Sequence, residues 1–508
     1  MNNSSLLLKG GLVLPSASDV AIQADIWIEA GMIREISPDI FPTSQTPTPQ
    51  TIVDASKLLL TPGLINGHFH SHEHFHKGRY DNLPLELWMH FVRPPIPPHP
   101  LTPEQVYLRT MVGAIEALRT GTTFVVDDVN QAPLYSQECV DAVFQAYDDS
   151  GLRALVSVSV FDRPFHRAVP FFDEEMPEFL RQQLDAQGQP DSDKLLALAE
   201  NLAHRRHPKQ HRVGYIVAPS APQRCSDRFL TQLSDLAIRH NLPMMMHLLE
   251  TRLQAVTGGI LYGQSMVEHL AELGVLSPQL ALQHCVWLSQ RDVNLLAVNQ
   301  TTAVYNPLSN LKLGSGRMPV RDFLEAGVNV ALASDGCGSR DSLNMLAVVQ
   351  GAALLNKHPL DPPERWFSAE GAFRLATEGG ARAFGFEGQL GKLAPGYRAD
   401  LVGYRRDRPA FVPLNHPLRQ LVYAETGAAV DLVIVDGNIV MREGELTQIR
   451  EADLVKRIHQ THQAILPDLE ASEDSVRTFL PYYRKIYDRC LQEAIGPNIL
   501  TPDHTLNL

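Results

Sequence analysis

TPGLINGHFHSHEHFHKGR, residues 61–79, is the stretch on which the fold turns. Histidines stand at every second position from His68 to His76. On a strand, side chains i and i+2 share a face about 6.6 Å apart, so His68 and His70 can converge on one ion. On a helix, His72-Glu73-His74-Phe75-His76 satisfies HExxH, the zincin pattern, in which the two outer histidines bind zinc. Pro62 and Gly67 upstream, and Gly78 just after His76, leave little room for that helix. The plain alternative is that all five are ordinary core or surface histidines.

Working outward, apolar runs rich in Val, Ile and Thr alternate with helix-like stretches. The runs are LLLTPGLINGH (58–68), TTFVVDD (122–128), RALVSVSVF (153–161), VGYIVAP (213–219), LPMMMH (242–247), LALQH (280–284), TTAVYN (301–306) and VNVALASD (328–335). Eight such alternations predict an α/β fold, a parallel (β/α)8 TIM barrel. A doubly wound sheet is the alternative, but no GxGxxG follows the first strand. The clearest helix is TPEQVYLRTMVGAIEALRTG (102–121), with Thr102 and Gln105 as a capping box and Pro103 at its first turn.

Residues 1–58 and 391–450 read as short strands, the two parts of a small β-sandwich domain around a barrel over 59–390. DIFPTSQTPTPQT (39–51) reads as an exposed loop. Residues 451–508 form a helical C-terminal extension, with Pro467 and Pro481 as breaks.

The net charge of −13 argues against a nucleic-acid surface. No run of about 18 apolar residues predicts a membrane span. The N-terminal apolar stretch is short and cut by Lys9, so no signal peptide is read. Five scattered cysteines, Cys139, Cys225, Cys285, Cys337 and Cys490, give no disulfide framework, and a cytoplasmic location is the default.

The chemistry gathers at strand ends. His68 and His70 end the first run, His247 the fifth, His284 the sixth and Asp335 the eighth. A barrel builds its site at that face. Glu250 follows His247 closely enough to carry protons into it.

At this point the sequence resembles the amidohydrolase superfamily, in particular its deaminase and chlorohydrolase branch. The resemblance rests on PGLINGHFH, HLLET, QHCVWLS, NPLSNLKLGSG, LEAGVNVALASDG and GKLAPGYRADLV, and covers residues 1 to about 447. It implies one divalent metal, usually zinc and sometimes iron, held by His68, His70, His247 and Asp335. Glu250, His284 and Asp335 are the implied catalytic residues. Glu250 shuttles protons, His284 orients water or substrate, and Asp335 takes the water proton. VGYIVAPSAP has no lysine, so the second metal of some relatives is not expected.

The implied reaction is hydrolytic deamination of a cyclic amidine in an N-heterocycle, with a small-molecule substrate. Hydrolysis of an amide, urea or carbamate, or expulsion of chloride or an alkylamine, would use the same site. A non-catalytic scaffold is the remaining reading. Relatives are often dimers or tetramers, so a homo-oligomer is an open expectation.

Two departures weaken a nucleoside substrate. Prolines follow LELWMHF where nucleoside deaminases carry a ribose-binding glutamate, and APSAPQ replaces APHAPY. Trp88, Ser220, Gln223, Tyr305 and Arg340 are candidate substrate contacts. Arg340 could pair with an anionic group, and His72, His74 and His76 could line the pocket.

Overall fold

The computed structural model describes residues 5–41, 49–95, 97–130, 136–496 and 499–500. Residues 42–48 of the expected exposed loop, and Ile96 of the Pro-rich stretch, lie outside them.

Eight strands build the barrel. They are β1 (Leu64–Phe69), β2 (Thr122–Val129), β3 (Arg153–Val158), β4 (Val213–Tyr215), β5 (Met244–Leu248), β6 (Leu280–His284), β7 (Thr302–Tyr305) and β8 (Val330–Leu332). β1 to β4 pair in parallel, in order, as do β5 to β8. A parallel bridge from Val217 to Met244 joins the halves. The Asp335 N–H donates to the His68 carbonyl at 3.0 Å, which returns β8 to β1. Ile65, Phe124, Leu155, Met245, Ala281, Val304 and Ala331, each from a different strand, fill the interior, with Phe384 among them.

The run 58–68 is not one strand. Leu58–Pro62 pairs antiparallel with Leu401–Arg405 in a nine-stranded sheet, and only Leu64–Phe69 enters the barrel. Gly63 makes the crossing between them, where a Cβ would lie 2.0 Å from Thr123 Oγ1. Strands from both ends of the chain share that sheet's core, with Leu8, Ile26, Leu60, Leu401 and Ile434 in one cluster.

Two helices lie between β1 and β2, α1 (Leu85–Val92) and α2 (Pro103–Arg119). α2 begins with the expected reciprocal capping box between Thr102 and Gln105.

The C-terminal helix runs unbroken from Glu451 to Cys490, through both prolines read as breaks. Tertiary packing overrides them. Besides Leu454, its buried residues are Ile465, Leu469, Ser472, Val476, Phe479, Tyr483, Ile486 and Cys490, alternating steps of four and three. Pro467 and Pro481 are both exposed and lie two heptads apart, on the face away from that seam. A long helix bends convex to solvent, and there a missing N–H does least harm. No helix among the described residues is long and apolar enough to cross a membrane.

One buried ion pair ties the two β units together. Arg153 of β3 donates to Asp400 at 2.7 Å and to Asp436 at 2.9 Å, with only 2% of its side chain exposed. Asp400→Asn leaves a buried guanidinium short of charge, so stability should fall by about 3 kcal/mol. A lower urea midpoint by circular dichroism checks this, and an unchanged midpoint contradicts it.

Candidate metal centre

The strand-end side chains meet. Nitrogens of His68, His247 and His284 lie within 4.8 Å of one another, as do ligand atoms of His68, His70 and Asp335. Asp335 Oδ1 is 3.5 Å from His70 Nε2 and 3.7 Å from His68 Nε2. His284 and Asp335 take φ of +71° and +63°, a left-handed backbone that non-glycine residues rarely adopt.

The surrounding carbonyls set the tautomers. Nδ1–H of His70 donates to the Asp128 carbonyl, that of His247 to the Ser220 carbonyl, and that of His284 to Asn310 Oδ1, each at 2.8 Å. In the neutral ring each Nε2 is left with a lone pair. His70 and His247 bring those nitrogens to 3.3 Å. His68 is fully buried, and neither of its ring nitrogens has a hydrogen-bond partner among the described residues. Burial holds His68 and His247 well below the usual imidazole pKa, and His284 below it. At His70 burial pulls the same way but is outweighed by the carboxylates of Glu73, Asp335 and Asp128, which raise it. Facing lone pairs and orphaned buried nitrogens suit a divalent cation, and three imidazoles with one carboxylate are a donor set such an ion accepts.

A cavity opens beside this cluster, lined by His70, His247, Glu250, His284 and Asp335. Glu250 is 3% exposed. It accepts from Ser315 Oγ at 3.3 Å, and its Oε2 lies 3.5 Å from His284 Nε2. Burial first, then the Asp335 charge, raise its pKa well above the usual range. Asp335 accepts from Ser309 Oγ at 2.5 Å and from the Gly336 N–H at 2.7 Å.

Of the expected substrate contacts, Trp88, Ser220 and Gln223 line the cavity. Trp88 also donates to the Gly338 carbonyl at 3.0 Å. Gln223 Oε1 is buried and has no partner among the described residues. Tyr305 and Arg340 are not in the lining. Val304 faces the barrel interior, so Tyr305, next along β7, faces the outer layer, where it packs in the core. Arg340 braces its own loop by donating to the Ser342 and Asn344 carbonyls.

The HExxH reading fails on geometry. Ser71–His76 is one stretch of 3-10 helix, in which i and i+4 do not share a face. His72 Nε2 faces Arg93 at 3.3 Å, whereas His76 Nδ1 meets Tyr80 Oη at 3.2 Å. His74 is packed beneath α2, donating to the Arg109 carbonyl at 2.8 Å.

Glu73 is the site residue that the sequence reading passes over. It lines the cavity, accepts from the Gly338 N–H at 3.2 Å, and burial lifts its pKa to about 7. The available signal was a lone acid among the alternating histidines directly after the first strand. Asn310, which fixes His284, lay inside NPLSNLKLGSG without a role.

The chain belongs to the amidohydrolase family, whose model matches residues 59–440. It is 33% identical over 480 residues to a 5-methylthioadenosine/S-adenosylhomocysteine deaminase of Syntrophobacter fumaroxidans, covering 92% of this chain and 99% of that one. It is 32% identical to a 5'-deoxyadenosine deaminase of Methanothermobacter thermautotrophicus, covering 89% of this chain and 96% of that one. Among solved structures, a zinc-bound adenosine deaminase from Xanthomonas campestris superposes with a TM-score of 0.78 at 28% identity, over 91% of this chain and 99% of that one. The zinc complex of atrazine chlorohydrolase from Arthrobacter aurescens shares the fold, with a TM-score of 0.80 at 22% identity, over 90% of this chain and 100% of that one.

Gly336 leaves the space that Glu73 fills, since a Cβ there would lie 1.9 Å from Glu73 Oε2. Gly336→Ala should therefore cost about 1–3 kcal/mol by overpacking. Adding Glu73→Ala should recover part of the loss in thermal unfolding. Additive losses would contradict the contact.

Proposed function

We propose that this protein is a zinc-dependent hydrolytic deaminase of a free, amino-substituted N-heterocycle. The observation that carries the reading is the meeting of His68, His70, His247 and Asp335 beside a buried Glu250. His68, His70, His247 and Asp335 would hold the ion. Zinc, when bound, supplies Lewis acidity that makes water nucleophilic near neutral pH.

The remaining chemistry belongs to the chain. Asp335 takes the proton that water gives up as its oxygen adds to the amino-bearing ring carbon. His284, oriented by Asn310, directs that oxygen. Glu250, kept protonated by burial, gives its proton to a ring nitrogen. The carbon–nitrogen bond then breaks: the amino group leaves as ammonia with the proton held by Asp335, and the proton left on the added oxygen returns to Glu250 as the carbonyl forms.

The named deaminases carry adenosine or its 5'-modified derivatives in their names, and the named chlorohydrolase carries atrazine. A bare ring is favoured here by Ser220 and Gln223 in the lining. The cavity beside the cluster holds about 90 Å³, below the ~300–1,000 Å³ of sites for drug-sized ligands, and a second cavity of about 820 Å³ adjoins it at Met89, Arg93, Phe165, Arg224 and Tyr483.

Two experiments test the reading. Zinc content should be near one per chain. His247→Ala or Asp335→Ala should abolish it, whereas His76→Ala should keep it. Loss of zinc in the His76 variant alone would reverse the assignment. Ammonia release should then be screened against adenine, guanine, cytosine, a pterin, a triazine, 5'-deoxyadenosine and S-adenosylhomocysteine. A free ring should be deaminated, and Glu250→Gln should lower kcat by about 10²–10⁴-fold with zinc retained. Turnover of an acyl substrate without ammonia from any heterocycle would sink the proposal.

A further inference from the structure

The family match ends at residue 440, yet the catalytic cavity is lined by Tyr483 and Ile486 of the C-terminal helix. These two are adjacent members of its buried seam, three residues apart on one face. Tyr483 is 4% exposed. Its ring stacks on His90 of α1 with centroids 3.7 Å apart, and Phe165 and Phe172 flank it at 6.4 Å. Its hydroxyl makes no hydrogen bond to a described residue, and burial alone pushes its pKa up. Tyr483 also lines the adjoining cavity of about 820 Å³, so this bulky ring, fixed on three sides, is part of the wall common to the small cavity at the cluster and the space that a larger ligand would need.

The helix is held as a wall. Arg252, two residues beyond Glu250, donates to the Cys490 carbonyl at 3.3 Å and to the Glu493 carbonyl at 2.6 Å. Arg489 pairs with Glu174 and Glu175. Upstream, Glu473 accepts from Arg79 at 2.8 Å and from Tyr80 at 2.5 Å. Arg119 bonds Glu451 at the first turn. Anchors therefore lie at both ends and in the middle, and the first of them grips the segment that carries Glu250.

We infer that the C-terminal helix determines substrate size: Tyr483, backed by Ile486, excludes heterocycles carrying a large ring substituent and admits the bare ring. The inference rests on the proposed deaminase reading. It makes Tyr483 a specificity-determining residue contributed from outside the family-matched part of the chain. Tyr483→Ala opens the wall, and Tyr483→Leu keeps an apolar side chain in the seam while removing the ring.

The test uses the zinc-loaded full chain and its Tyr483→Leu and Tyr483→Ala variants. Kinetics are measured with adenine and 5'-deoxyadenosine, together with the rate at which dipicolinate strips the zinc. The ratio of kcat/KM for the nucleoside to that for the base should rise about 10-fold or more in both variants. Zinc removal should be faster in both. A ratio unchanged in variants that still deaminate overturns the inference. If the unaltered protein deaminates no heterocycle, the deaminase reading falls. The wall is then judged by zinc removal alone: faster removal upholds it and an unchanged rate overturns it.

Discussion

Two imidazole nitrogens, His70 Nε2 and His247 Nε2, face each other at 3.3 Å with their protons committed elsewhere. Everything around them serves to hold that unfavourable approach. Each ring is fixed through Nδ1 to a carbonyl, and each sits at the end of a strand locked in the closed barrel. Buried lone pairs brought together this way are costly unless a cation lies between them. The barrel's register, the carbonyls of Asp128 and Ser220, and the left-handed turns at His284 and Asp335 are the structural means of keeping them there.

The same constraint shows what sequence can and cannot disclose. His68, His70, His247, His284 and Asp335 were legible because each closes an apolar run, and a parallel barrel sends all such ends to one face. Tyr305 and Arg340 also lie near strand ends, yet they point elsewhere. Proximity in sequence does not fix side-chain direction, and one step along a strand turns a residue to the other face. The division of residues 58–68 between two sheets was hidden because both halves are equally apolar. Only the contact between Gly63 and Thr123 marks the crossing.

The C-terminal helix was concealed by its own prolines. Read locally, Pro467 and Pro481 break it. Read as a heptad, they occupy one outward position and leave the seam from Ile465 to Cys490 continuous. Glu73 was concealed differently, by standing inside a better-known zinc motif that the 3-10 turn cannot support. The residues that local reading conceals thus gather around the mouth, at the turn after β1 and along the terminal helix, which lies beyond the family-matched residues 59–440. The cluster beneath is built from the strand-end histidines and aspartate. Chemistry fixed by strand ends, and selectivity set by elements laid over them, is the division of labour that a barrel permits.

The most direct measurement is anomalous X-ray diffraction at the zinc edge on crystals of the zinc-loaded protein. A single strong peak is expected, enclosed by Nε2 of His68, His70 and His247 and a carboxylate oxygen of Asp335. A peak between His72 and His76, or no peak within reach of those four side chains, would contradict it.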